Sequence, residues 1–124
     1  MTIKHFMLAA LATITVMPGA AFAHGNASPS HGGIMAVSGE TQIEAVRTPS
    51  GLDLYVSEEG LPLVAADLGG HASIKDAAGN PVTLTPQDGN RLQATGLSPQ
   101  PGQSVMVMIE QKASALRSFA TYQF

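Results

Sequence analysis

The chain reads as all-β, an Ig-like antiparallel sandwich of seven or eight strands. Three observations predict this. After residue 33 the apolar runs are short, and Pro, Gly, Asn and Asp separate them at intervals of about ten residues. The clearest of these runs alternates: Leu52, Leu54 and Val56 interleave with Asp53, Tyr55 and Ser57, which is the period of a strand with one buried face. No stretch beyond the first two dozen residues has a convincing helical period.

Residues 1–23 read as a signal peptide. Lys4 and His5 form a positive start, and Phe6 to Val16 is apolar but shorter than the roughly 20 residues of a membrane span. Pro18-Gly19 breaks the run, and Ala21-Phe22-Ala23 is a small-residue cleavage pattern. Cleavage after Ala23 makes His24 the first residue of an exported, periplasmic chain with no membrane span after cleavage. Residues 24–33 then form a flexible His/Gly/Ser arm, and residues 34–124 the sandwich domain.

Within that domain the first strand starts at Ile34. Thr41 to Thr48 and Leu52 to Ser57 flank Pro49-Ser50-Gly51 as a hairpin. Leu61-Pro62-Leu63-Val64 follows a Glu58-Glu59-Gly60 turn, and Pro62 marks it as an edge or a bulge. Ala72 to Lys75 pairs with Val82 to Thr85 across Asp76 to Asn80. Asp88-Gly89-Asn90 turns into Arg91 to Ala94, Val105 to Ile109 is the most apolar run, and Leu116 to Phe124 closes the chain.

Composition excludes several functions. Nine Asp and Glu outweigh six Lys and Arg, and cleavage removes one of the six, so neither nucleic acid nor an anionic membrane finds a basic face. There is no cysteine, hence no disulfide, no thiolate metal site and no thiol catalysis. The Gly-x-Ser-x-Gly elbow, His-Glu-x-x-His, P-loop and dinucleotide motifs are all missing. A small domain with 5% aromatic residues also offers little material for a pocket of several hundred cubic ångströms. The chain is therefore not expected to be an enzyme.

What remains is metal chemistry on histidine and methionine. A mature N-terminal His24 chelates an ion through its α-amine and its Nδ1, and a second imidazole completes a three-nitrogen brace. Tetragonal nitrogen sites suit Cu(II), so copper is the expected ion, with zinc or nickel as alternatives. His31 lies seven residues on, behind a Pro-Ser turn and before Gly32-Gly33, which let the chain fold back. His71, at the start of a strand behind Gly69-Gly70, and Met35, next to the His-Gly-Gly stretch, are supplementary candidates. Met106 and Met108 share one face of a strand, where core filling is the default role of methionine.

The run "SPSHGGIMAVSGETQIEAV…GLDLYVSEEGLPL…GNRLQATG" resembles a group of small exported proteobacterial proteins with a His-Gly-Gly start. "HGG", then "E-V", "LYV" and "G-x-P", is also similar to the N-terminal domain of some heavy-metal efflux adaptor proteins. The resemblance covers most of the chain after the signal and falls on His31, Gly32, Gly33 and Tyr55. It implies a β-sandwich of the cell envelope associated with metal handling. The coiled-coil and lipoyl-like parts of an adaptor are not present, so it does not imply a pump subunit. A weaker likeness links the chain to small periplasmic copper carriers that begin with a mature histidine, whose later Asp-x-His pair has no counterpart here.

The expected function is a periplasmic metal-binding accessory protein, with a metal ion and an envelope metal-transport protein as partners. A metal-free Ig-like envelope interaction module is the alternative. A histidine-brace oxygenase, with Tyr122 or Phe124 near an axial position, is a distant third.

Overall fold

The computed structural model describes residues 28–124, so the signal peptide and His24 lie outside the described residues. Two antiparallel sheets pack face to face as a β-sandwich. Among the described residues seven strands have five or more residues: β1 (Ile34–Ser38), β2 (Thr41–Thr48), β3 (Gly51–Glu58), β5 (Leu68–Ile74), β8 (Arg91–Thr95), β9 (Ser104–Gln111) and β10 (Leu116–Gln123). Three two-residue strands complete the sheets: β4 (Leu61–Pro62), β6 (Val82–Thr83) and β7 (Thr85–Pro86). A 3-10 turn, Ala65–Asp67, carries the chain from the first sheet to the second.

The first sheet runs β1-β2-β3-β8-β7, with β4 beside the far end of β3, and the second runs β10-β9-β5-β6. The principal strands thus divide four and three, as in an immunoglobulin constant domain. Their order differs, because here the second and third strands pair as a hairpin and the chain crosses only afterwards.

Alternation explains which face is buried. Ile43 and Ala45 of β2 face Val56 and Leu54 of β3, and all four are buried. Val105, Val107 and Ile109 of β9 and Ala120 and Tyr122 of β10 close the core from the other side. Each fully buried aliphatic side chain stabilises the fold by about 1.5–3 kcal/mol. Two hydrogen bonds tie the sheets together inside this apolar layer. The Tyr122 hydroxyl donates to the Ile43 carbonyl at 2.6 Å, and Ser118 Oγ donates to Thr41 Oγ1 at 3.2 Å.

The strand expected from Ala72 instead begins at Leu68, so His71 sits within β5 rather than at its start. Gly69-Gly70 reads locally as a loop. In the fold, a side chain on Gly70, with φ +141, would strike the Met108 carbonyl of β9, so glycine permits the close strand approach.

Candidate functional site

The residues that converge are His31, Glu44 and Tyr55. Glu44 points away from the core, since its neighbours Ile43 and Ala45 point inward, yet it is only 2% exposed. The arm covers it. Glu44 Oε1 accepts hydrogen bonds from the backbone N–H of Ser30 at 3.0 Å and of His31 at 3.1 Å. Oε2 accepts from His31 N–H at 2.9 Å and Gly33 N–H at 2.8 Å. Successive backbone amides closing on one anion form a nest, and here the anion belongs to the same chain.

The His-Gly-Gly spelling follows from this geometry. Gly32 has φ +73, a left-handed conformation that costs other residues about 1–2 kcal/mol. Gly33 passes so close to β2 that an added Cβ would collide with the Ala45 carbonyl and the Val46 side chain. Ser30 to Gly33, the last part of the arm, is therefore pinned to the first sheet.

The His31 ring is held on two sides. Its Nδ1 lies 2.9 Å from Glu44 Oε1, and its face stacks on Tyr55 with ring centroids 3.6 Å apart and planes 8° from parallel. An ionised carboxylate only accepts hydrogen bonds, so Nδ1 carries the proton and the neutral ring has its lone pair on Nε2. The side chain remains 43% exposed. Burial by itself would raise the Glu44 carboxyl pKa. The His31 ring and the amides of Gly33, His31 and Ser30 outweigh burial and hold it below its ordinary 4.5.

Register sets the surroundings. Met35 of β1 pairs with Glu44, Glu44 with Tyr55, and Tyr55 with Arg91 of β8. Paired residues of antiparallel strands share a face, so this row runs across the outside of the first sheet. Beside this row, Arg91 Nη1 meets Asp53 Oδ2 at 3.3 Å, while the buried Oδ1 of Asp53 has no partner among the described residues.

Of the predicted site residues, His31 and Met35 thus come to one place, beside Glu44. His71 does not. It faces outward from the second sheet, opposite Met108, with both sheets between it and His31. His24 lies outside the described residues. Tyr122 is in the core against Ile43, and Phe124 lies 6.5 Å from it, centroid to centroid, so Tyr55 is the aromatic residue that meets His31. Among the described residues no three His, Cys, Asp or Glu side chains converge on a metal position.

Sequence reasoning passes over Glu44. The signal that marks it is a charged residue in the middle of an otherwise well-formed strand, "TQIEAVRT", the second strand after His-Gly-Gly. The cavities are larger than composition suggests. A cleft of about 530 Å³ opens beside Gly32 and Gly33, but Arg47 is the one ionisable side chain lining it among the described residues. That guanidinium is engaged by the Phe124 ring, 4.8 Å away, and by the Pro99 carbonyl at 2.8 Å.

The fold and site together define a small β-sandwich whose N-terminal arm is clamped over a buried carboxylate. Compared with family models, curated proteins and solved structures, the chain has no match. No helix among the described residues is long and apolar enough to cross a membrane.

Proposed function

We propose that this chain is a periplasmic metal-binding accessory protein that buffers or delivers copper through its N-terminal arm and performs no reaction of its own. The observation that supports this reading is the hydrogen bond between His31 Nδ1 and Glu44. Metal-bound histidines usually donate their second nitrogen to a carboxylate or carbonyl, which sets the tautomer and raises the basicity of the ligating nitrogen. Glu44 and Tyr55 provide that support for His31, whose exposed ring offers Nε2. The remaining donors come from His24, through its α-amine and ring, with Met35 beside Glu44 as a soft supplementary ligand. An envelope metal-transport protein is the proposed partner.

Mass spectrometry of the exported protein and a Cu(II) titration read by electron paramagnetic resonance test the proposal. A mature start at His24 and hyperfine structure from three nitrogens are expected. His31→Ala should abolish tight binding, and Glu44→Gln should weaken it by about 10- to 100-fold. One extra residue before His24 should weaken binding nearly as much as losing an imidazole. A different mature start, or wild-type Cu(II) affinity in His31→Ala, overturns the site. The His31–Glu44 contact would then be a structural latch, and the sandwich an interaction module.

A further inference from the structure

The outer face of the second sheet carries a separate group of soft donors. Val105, Val107 and Ile109 of β9 point into the core, so Met106 and Met108 point out. Core filling, the usual role of methionine, does not explain them: Met106 is 48% exposed. His71 pairs directly with Met108, and Met106 lies diagonally from His71 on the same face. Phe119 of β10 pairs with Met108 from the other side and is 65% exposed. A shallow cavity of about 150 Å³ is lined by His71, both methionines and Phe119.

Spacing allows one ion to reach all three donors. Directly opposed residues on one face have Cβ atoms about 4.5–5.5 Å apart, and diagonal neighbours about 7–8 Å. Methionine has three freely turning side-chain bonds with which to close that gap. The His71 ring makes no hydrogen bond or ion pair with any described residue, in contrast to His31, so both of its nitrogens are free of partners among those residues. The adjacent row holds Glu110 and Arg117, whose charges pair with each other at 2.9 Å. The cavity lining therefore offers no carboxylate to a hard divalent ion, while thioether and imidazole are the donors that Cu(I) selects.

We propose that His71, Met106 and Met108 form a binding site for a soft monovalent cation, Cu(I) or Ag(I), on the face of the sandwich opposite the arm. The site is independent of the reading of His31, because it shares no residue with it.

Silver nitrate in chloride-free buffer is the probe, since Ag(I) is soft and does not change oxidation state under these conditions. The full chain is titrated while its methionine methyl carbons are followed by nuclear magnetic resonance, with signals assigned by single Met→Leu variants. The methyl signals of Met106 and Met108 and the ring protons of His71 should shift together and saturate at one equivalent. The same shifts should occur in His31→Ala protein. Met106→Leu, Met108→Leu and His71→Ala should each weaken silver binding relative to wild type, because each removes one soft donor. All three side chains lie outside the core, and circular dichroism of each variant checks that the sandwich is retained. Unshifted Met106 and Met108 signals, or wild-type silver affinity in the folded double Met→Leu variant, overturn the proposal. A failed Cu(II) titration of the arm leaves it standing.

Discussion

His31 and Glu44, thirteen residues apart in the chain, are joined by both a side-chain and a backbone hydrogen bond at 2.9 Å. Through this pair the arm becomes part of the first sheet's outer surface. The same pair gives the imidazole a defined proton position, which links the local fold to the proposed metal chemistry.

Glu44→Gln should loosen this clamp. The amide keeps one acceptor oxygen but sets an NH₂ group against a backbone N–H that Glu44 now satisfies. A loss of about 1–3 kcal/mol is expected from the denaturation midpoint, as for other buried donors left unpaired. Hydrogen exchange at the His31 and Gly33 amides should accelerate as well. Unchanged exchange would mean that the clamp adds nothing to the arm's order.

Acid should act through the same carboxyl. Because the folded protein holds Glu44 below its ordinary 4.5, the unfolded chain binds the proton more readily. The stabilisation is therefore complete above 4.5 and is lost as pH falls through the lower folded value. Urea denaturation between pH 7 and 3 should show the wild-type advantage over Glu44→Gln shrinking below pH 4.5. An advantage that stays constant down to pH 3 would exclude the carboxylate as its source.

The two glycines should differ in what they tolerate. Gly32→Ala meets a backbone penalty of about 1–2 kcal/mol at its positive φ, and Gly32→Asn should recover part of it. Gly33→Ala should be the more harmful, because its methyl group runs into the Ala45 carbonyl, a backbone atom that cannot turn aside. Thermal melts of the three variants give the order, and a neutral Gly33→Ala would show that the arm does not approach β2 so closely.

Tyr122→Phe tests the bond between the sheets. Removing the hydroxyl deletes its hydrogen bond to the Ile43 carbonyl, for a loss of about 0.5–1.5 kcal/mol. Burial, assisted by the Glu44 charge, pushes the Tyr122 pKa well up, so the phenol stays neutral and the loss should be the same at pH 5 and pH 9. A loss that disappears at pH 9 would mean that the hydroxyl ionises, contrary to its burial.

Much of the sandwich is legible in the sequence alone, because strand alternation and turn chemistry act between neighbours in the chain. Leu52, Leu54 and Val56 announce their buried face by period, and Pro49-Ser50 makes its hairpin through local backbone preference. The His-Gly-Gly stretch is visible as a place where the chain can fold back. Val105 to Ile109 is harder to read, since both of its faces are apolar. Which of its residues point inward depends on the facing sheet, and that choice sends Met106 and Met108 outside. Tertiary structure alone decides that Glu44 is buried, because a glutamate on the outer side of a strand looks solvated until a segment from elsewhere covers it. It also separates His71 from His31, placing them on opposite faces of the sandwich. Composition and period are read along the chain, whereas a site depends on register and layer, which arise only when distant strands pair.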